Sequence, residues 1–333
     1  MKQRISLIAF ISCISFSAFV FSCKKDSQDP NQSTSTSLGA QADDQAMVSD
    51  ENENLTNDVN TSLVSTVTTN GNSAVAEIGS GTTTVNSVHQ TTVVNGVHGG
   101  LICDASVAFD TVSNPHTITI TYDGTNCWGN RTRTGSIVIS MAAGVHWLDI
   151  GASVTVTINN VKITRVRDGK SIILNGYKTI TNVSGGSLKD LASLGNITHT
   201  ISDSLSVTFA DNAVRVWQVS KQRVFTYNNG IVWTTTGTHS DGTHQGISDW
   251  GTNRAGITFT CLITQPIVFR QDCDFRLVSG QHTIYRSDNL TTTITYGLDA
   301  SGNATGCPGS GNYYLEVVWV APNGKSYPLI LPY

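Results

Sequence analysis

The stretch that decides the fold is His116-Thr117-Ile118-Thr119-Ile120-Thr121-Tyr122, in which apolar and polar residues alternate. A period of two places alternate side chains on the buried and the exposed face of a β-strand. The same alternation recurs at Val154–Ile158, Leu205–Phe209 and Ile257–Ile263. Residues 313–320 are apolar at nearly every position, as expected for a strand covered on both faces. The chain is therefore predicted to consist mainly of strands.

Turn signals and composition define the fold class further. Helical periodicity is confined to Ser187–Leu194, and charged residues are 13% of the chain against a usual value of about 25%. Dipeptides that tolerate the positive φ angles of tight turns are Asp123-Gly124, Asp168-Gly169, Asn175-Gly176, Asn229-Gly230, Asp241-Gly242 and Asn323-Gly324. We predict an all-β fold over residues 76–333, a single large antiparallel meander that forms either a two-sheet sandwich or a strongly curled sheet.

The N-terminus has the composition of an export signal. Lys2 and Arg4 precede a run without charges from Ile5 to Phe21. That run is about long enough to cross a bilayer, so a retained transmembrane helix is the alternative. It ends in Val20-Phe21-Ser22-Cys23, which resembles the lipobox of bacterial lipoproteins. We therefore predict a lipoprotein signal peptide over residues 1–22 and palmitate-type lipid attachment at Cys23, which would anchor the chain to a membrane.

The charges of the chain are divided between two regions. From Asp26 to Asn130 there is no Lys or Arg but 12 Asp or Glu, whereas residues 131–333 carry 16 basic and 12 acidic side chains. The first part of the acidic region has few aliphatic residues, a composition that favours disorder. We predict an acidic disordered tether over residues 23–75.

The acidic residues that follow Cys23 also bear on localisation. They resemble the surface-export signal of Bacteroidetes lipoproteins, which favours an outer membrane lipoprotein on the cell surface over the periplasmic face. A plain solvated linker is the alternative.

Five cysteines follow Cys23, an odd number in a chain that would meet an oxidising compartment. Cys261 is in phase with the apolar positions of a strand, where a free thiol behaves as a small apolar side chain. The other four flank two pairs of predicted strands. We therefore predict the disulfides Cys103–Cys127 and Cys273–Cys307.

Several stretches between residues 100 and 333 share a pattern with known proteins. They are Cys103–Asp110, His116–Gly124, Asn130–Ile139, Gly251–Gly256, Thr264–Ile267 and Asn323–Lys325. Together they resemble a family of exported Bacteroidetes lipoproteins of unknown function. The chain departs from the family at Gly129-Asn130, where the family often has Asp-Gly before Arg-Thr-Arg. The resemblance implies an exported, β-rich lipoprotein and supplies no activity.

The sequence contains no nucleophile elbow, zincin helix or phosphate-binding loop. We expect no cofactor and no nucleic-acid partner. His239 and His244, with Asp241 and Asp249, are a plausible set of metal ligands. They fall in a Gly-rich loop, where polar residues such as Asp are common because they suit the backbone conformations of turns. We predict no metal site and keep the two histidines as the candidates.

Tryptophans matter because flat rings stack on the faces of sugars. Trp217, Trp233 and Trp319 lie within predicted strands and are expected in the core. Trp128, beside Cys127, and Trp250, in a polar loop, are the candidates for stacking on a ligand. Packing against the protein is the alternative for both.

These observations favour a membrane-anchored, non-enzymatic binding or structural module. Its expected partners are the membrane, through the lipid, and a glycan or protein of the cell surface. One alternative is an exported hydrolase whose catalytic residues are dispersed over several strands. Another is a periplasmic lipid or assembly accessory with an apolar groove.

Overall fold

The computed structural model describes residues 30–65, 91–94, 102–273, 275–307 and 312–333. Within these ranges the chain forms one antiparallel sheet of sixteen strands, one long helix and a short helical turn. The prediction of a single antiparallel all-β domain is confirmed. The predicted signal peptide and Cys23 lie outside the described residues.

The strands follow the order of the chain. They are β1 (Thr91–Val94), β2 (Ala105–Asp110), β3 (His116–Thr125), β4 (Arg131–Met141), β5 (Ala152–Arg165), β6 (Ser171–Asn182), β7 (Asn196–Phe209), β8 (Val214–Tyr227), β9 (Ile231–Gly237), β10 (His239–Ser240), β11 (Gln245–Thr252), β12 (Thr258–Arg270), β13 (Arg276–Arg286), β14 (Thr291–Leu298), β15 (Tyr314–Val320) and β16 (Ser326–Pro332). The helices are α1 (Pro30–Val64) and α2 (Leu191–Leu194), with 3-10 turns at Leu188–Asp190 and Gln271–Cys273.

Consecutive strands pair along most of the sheet, and β8 is where this order changes. The C-terminal half of β8 pairs with β9, from Lys221 opposite Gly237 to Tyr227 opposite Ile231. Its N-terminal half pairs with β11, where Trp217 lies opposite Gly251. Both β9 and β11 then pair with β12. Four strands therefore share one part of the sheet.

Irregular registers accompany the bending of the strands. The pairing of β4 with β5 shifts between Thr134 and Ser136, and that of β5 with β6 shifts between Ile158 and Val161. Such bulges bend a strand and increase its twist. Gly176 lies opposite the second shift with a φ of 134°, and a Cβ there would stand 2.1 Å from the carbonyl oxygen of Ser204. Glycine is required because the neighbouring backbone comes so close.

Four of the six predicted turn dipeptides lie between strands, and two do not. Asp123-Gly124 is the end of β3, and Asn175-Gly176 lies inside β6. In both, the glycine occupies a paired position of the ladder, opposite Arg133 and Ile158 respectively. The turn prediction is wrong at these positions because both dipeptides are paired within the ladder, and at Gly176 the glycine serves the close approach of the neighbouring backbone.

The sheet curls around α1, so the structure is a curled sheet and not a sandwich. Side chains of α1 reach β3, β4, β6, β7 and β8 in the first half of the sheet and β13 in the second. Along the described side chains of α1, residues 39–64, most positions are buried, including Val48, Leu55, Val59 and Leu63. The helix is therefore the centre of the core.

The predicted disordered tether over residues 23–75 is wrong for the part that α1 covers. The composition of this segment is too polar to fold by burying its own apolar surface. It folds because the inner face of the sheet supplies partners for its polar and acidic side chains, among them Asp43, Glu53 and Asp58.

The cysteine predictions are confirmed. Disulfides join Cys103 to Cys127 and Cys273 to Cys307, and Cys261 is a free, buried thiol in β12. The predicted short helical turn at Ser187–Leu194 is also present, as a 3-10 turn followed by α2. Among the described helices, none has an apolar stretch long enough to cross a membrane.

Candidate functional site in the charged interior

The inner face of the sheet carries basic side chains at positions that alternate with solvent-facing ones. On β8, Lys221 and Arg223 are in phase with Trp217, Val219 and Phe225, and all five are buried. Buried charges of this kind need partners, because an unpaired charge away from water is very costly. Carboxylates on α1 and carboxylates on the sheet and its loops supply them.

Glu53 of α1 meets the cations of β8. Its carboxylate contacts Arg223 directly and lies 3.5 Å from the Nζ of Lys221. Burial alone would raise the pKa of Glu53, but the positive charges of Arg223 and Lys221 lower it to about 2. Glu53 is therefore ionised and paired at neutral pH.

Lys178 of β6 is wholly enclosed beside Glu53. Its Nζ lies 2.9 Å from Oδ1 of Asn52, 2.7 Å from Oγ1 of Thr56 and 3.0 Å from Oδ2 of Asp203. Asn52 also donates a hydrogen bond to Asp203, at 2.6 Å. Burial lowers the pKa of Lys178, and the adjacent Asp203 carboxylate opposes that shift. Two polar residues of α1 thus complete an ion pair between neighbouring strands.

Arg133 of β4 binds two carboxylates. Its Nε and Nη2 lie 2.6 and 2.5 Å from the two oxygens of Asp104, a bidentate pair, and its Nη1 lies 2.6 Å from Asp58 of α1. Tyr122 donates a hydrogen bond to Asp58 at 2.8 Å, and its ring lies under the Arg133 guanidinium. Burial raises the pKa of Asp58 despite these partners.

The N-terminal part of α1 is held in the same way. Asp43 accepts two 2.8 Å hydrogen bonds from Arg165 of β5 and contacts Lys170. Burial would raise the pKa of Asp43, but these two partners lower it to about 2. The next residue, Asp44, lies 2.6 Å from both Lys170 and Arg254. Basic groups from two distant loops therefore converge on adjacent carboxylates.

The candidate site is thus the inner face of the sheet, a cationic surface that encloses an acidic helix. Buried ion pairs add little net stability, because desolvation offsets most of the attraction. Their value lies in discrimination, since a segment without matching carboxylates would remove the Glu53 partner of Arg223 and one of the two carboxylates that Arg133 and Arg165 each bind. This arrangement can select an acidic helix over other sequences.

A second buried cluster lies on the same inner face. Asp249 of β11, Cys261 of β12 and His282 of β13 each offer a ligand atom, and these atoms all lie within 4.8 Å of one another. Each residue is no more than 2% exposed. Burial raises the pKa of the Cys261 thiol well above its usual value and lowers that of His282 to about 4. A thiol so protonated and enclosed is a poor nucleophile.

The candidate residues from the sequence are not brought together. Trp128 is 51% exposed in the loop after β3. Trp250, in β11, is partly buried and stacks on the ring of His239 at 4.2 Å. His244 approaches Asp241, with its Nδ1 3.3 Å from Oδ2, and stacks on Tyr285. The described metal-competent groups include neither His239 nor His244.

The sequence contains a signal for the charged interior, namely basic residues on the buried face of the strands. Lys178, Lys221 and Arg223 each stand in phase with apolar residues that point inward. A cation on the buried face of a strand requires an anion from elsewhere, and the acidic segment before residue 130 was the available source.

No family model, curated protein or solved structure matches the chain.

Proposed function

We propose that this chain is a non-enzymatic binding module whose curled sheet is a receptor for an acidic helix, with its own α1 as the occupant. The observation that carries the proposal is the pairing of carboxylates along α1 with inward-facing Lys and Arg of the sheet, from Asp43 with Arg165 to Asp58 with Arg133. Such complementarity gives specificity for a partner of one charge sign.

Two features of the described interior, its buried cations and its enclosed thiol, argue against the apolar groove and against a cysteine hydrolase respectively. An apolar groove for a lipid requires an uncharged lining, whereas the described interior presents Lys178, Lys221 and Arg223. A hydrolase with a cysteine nucleophile requires a thiol that a substrate can reach, and the buried thiol of Cys261 does not meet that need. We therefore favour binding over catalysis.

The proposal extends to the place of the module. The sequence before α1 has the pattern of an export signal ending in Cys23, and the body resembles exported Bacteroidetes lipoproteins. We propose an outer membrane lipoprotein that is exposed at the cell surface. Its partners there would be the membrane, through the lipid, and a protein that carries an acidic helix.

A test separates α1 from the sheet without removing it. A protease site placed between residues 66 and 90 allows the folded chain to be cut. The cut protein is then unfolded in urea with its disulfides intact and refolded with excess labelled peptide of residues 30–64. We expect the labelled peptide to be incorporated and to co-elute with the body.

The matched control is the same peptide with Glu53→Gln and Asp58→Asn, which keeps shape and removes two charges. We expect it to compete at least tenfold less well. The receptor proposal would be contradicted if the body refolds to its original melting temperature with neither its own released α1 nor a labelled peptide bound.

A glycan is the second candidate ligand, supported by the 51% exposure of Trp128. Rings that are exposed and rigid can stack on sugars. A glycan array should then show binding by the wild type that is lost in Trp128→Ala. Equal or absent binding by the two proteins would remove this candidate.

A further inference from the structure

Three neighbouring strands place three different metal ligands at one point. Asp249 lies opposite Cys261 in the β11–β12 ladder, and His282 of β13 lies opposite Ile263, two residues beyond Cys261. All three side chains are buried on the inner face. Because the positions belong to paired strands of a sheet, their spacing is fixed by the backbone.

The donor set has the chemistry of a transition-metal site. A thiolate, an imidazole and a carboxylate together suit Zn²⁺ and the metals that replace it, whereas Ca²⁺ and Mg²⁺ take oxygen ligands. Tetrahedral zinc has bonds of about 2.0–2.3 Å, which separates ligand atoms by about 3.5 Å. The three ligand atoms lie within 4.8 Å of one another. Closing the site would therefore require side-chain rotations that bring the ligand atoms from within 4.8 Å to about 3.5 Å of one another.

His282 supplies the second observation. Its Nε2 is buried and has no hydrogen-bond partner, while its Nδ1 lies 3.2 Å from the hydroxyl of Tyr296. A buried ring nitrogen without a partner is costly. In metal sites a histidine commonly binds the ion through one nitrogen and is oriented by a hydrogen bond at the other. In a metal site at this cluster, Nε2 of His282 would bind the ion and Tyr296 would orient the ring through Nδ1.

Asp249 is also oriented by its neighbours. Trp217 Nε1 donates to its Oδ1 at 3.2 Å, and Ser248 Oγ donates to its Oδ2 at 2.6 Å. The ammonium group of Lys221 lies 3.2 Å from Oδ1, and its positive charge would repel a metal ion bound there. Glu53 also pairs with Lys221 and offsets part of that charge. An ionised carboxylate has about four acceptor sites. Asp249 can hold these three donors and still bind a metal.

We propose that Asp249, Cys261 and His282 bind a divalent transition-metal ion of the zinc class, with a solvent molecule as the fourth ligand. The site ties β11, β12 and β13 together, beside the point where β8, β9 and β11 share the sheet. It does not depend on the receptor function, since the metal ligands are all on the sheet and none is on α1.

The test uses the full chain and two ions. Because the cluster is enclosed, metal must enter during folding, so the protein is unfolded with EDTA, then refolded with Co²⁺ or Zn²⁺ after the chelator is removed. We expect about one ion per chain by elemental analysis. The Co²⁺ protein should show a thiolate-to-metal charge-transfer band, and Zn²⁺ should raise the melting temperature.

Variants assign the ligands. Cys261→Ser should lose the charge-transfer band, and His282→Gln should lose stoichiometric binding. Tyr296→Phe keeps the ligands and removes the orienting hydrogen bond, so we expect its affinity to fall about tenfold to a hundredfold. His239→Gln is the matched control and should bind as the wild type does.

Two results would overturn the proposal. One is folded wild type that contains less than a tenth of an equivalent of metal, both as isolated and after refolding with Co²⁺. The other is a thiolate-to-metal charge-transfer band that survives in Cys261→Ser. If either ligand variant fails to fold, the wild type and Tyr296→Phe still decide the matter.

Discussion

At the scale of single residues, Arg133 shows what the buried charges require. It holds Asp104 through two hydrogen bonds and Asp58 through a third. Replacing it with Met keeps an unbranched, uncharged side chain and leaves the buried Asp104 and the largely buried Asp58 without this cation. Breaking a buried ion pair in this way costs about 3–5 kcal/mol. We therefore expect Arg133→Met to lower the free energy of unfolding in urea by that amount.

The matched control for this prediction is Arg167→Met. Arg167 is 37% exposed in its side chain, and its nearest carboxylate oxygens lie 3.8 Å or more away. Exposed pairs of this kind contribute roughly 0–1 kcal/mol. If both variants lost similar amounts of unfolding free energy, the protein would depend on the buried pairs of Arg133 no more than on the exposed pairs of Arg167.

His199 predicts a dependence on pH. Its side chain packs between Trp147 and Phe225, and burial, with the nearby charge of Arg223, lowers its pKa from 6.5 to about 3. Below pH 6.5 the unfolded chain therefore binds a proton that the folded protein does not. Stability contributed by neutral His199 is lost as the pH falls toward 3.

We expect His199→Phe to remove this part of the acid sensitivity. One pKa unit corresponds to roughly 1.4 kcal/mol, and the histidine of the unfolded chain is half protonated at pH 6.5, so the wild type should lose about 2 kcal/mol more than the variant between pH 6.5 and 4.5. Unfolding in urea at several pH values measures the difference. His146→Asn, at a side chain that is 45% exposed, should follow the wild type. Parallel curves for the wild type and His199→Phe would refute the assignment.

At the scale of elements, α1 is the test of how the core is built. Leu55, Val59 and Leu63 follow one another at intervals of four residues and are at most 1% exposed. Truncating a buried leucine to alanine costs about 2–5 kcal/mol. We expect Leu55→Ala to destabilise the whole domain by this amount in one cooperative transition in urea.

Leu194→Ala is the control, because Leu194 lies in α2 and is 49% exposed. It should change stability much less. A Leu55→Ala protein as stable as the wild type would show that α1 behaves as the tether that its composition suggests.

The strands could be predicted from the sequence, and α1 could not, for a physical reason. In β7 the buried residues Leu205, Val207 and Phe209 are apolar and alternate with polar residues, so the hydropathy pattern alone identifies these buried positions. In α1 the buried set includes Glu53 and Asn52, whose burial depends on Lys221 and Lys178 far along the chain. A local pattern does not contain that dependence.

The candidate site shows the same division. The disulfides could be paired because Cys103 and Cys127 flank two strands joined by a short turn. The register of three strands brings together Asp249, Cys261 and His282. The sequence alone does not specify that register, so it could not predict the cluster. The two histidines that lay close in sequence, His239 and His244, each stack on a different aromatic ring.

At the scale of the whole molecule, the two regions of opposite charge form one folded unit. The acidic region before residue 130 includes α1, and the basic region after it provides most of the strands that enclose the helix. A net charge of −4 therefore describes a molecule whose strongest charges are paired inside it. With the proposed lipid at Cys23, only residues 24–29 would separate the anchor from α1, so the body would lie on average closer to a membrane than a fifty-residue flexible tether would place it.

This organisation leads to a prediction about Cys23. Residues 23–29 precede α1, so removing a lipid there should leave every contact of the core in place. We expect Cys23→Ser to abolish palmitate labelling and to move the protein from the membrane fraction to the soluble fraction. Its melting temperature should match that of the wild type, because the ion pairs of α1 are unchanged.

Cys13→Ser is the matched control, since Cys13 lies in the segment that the signal peptidase would remove. That variant should keep both the label and the membrane association. Wild-type protein that takes up no palmitate would contradict the anchor. A Cys23→Ser protein that is released but melts well below the wild type would contradict the separation of anchor and core, because the lipid would then be stabilising the packing of α1 within the sheet.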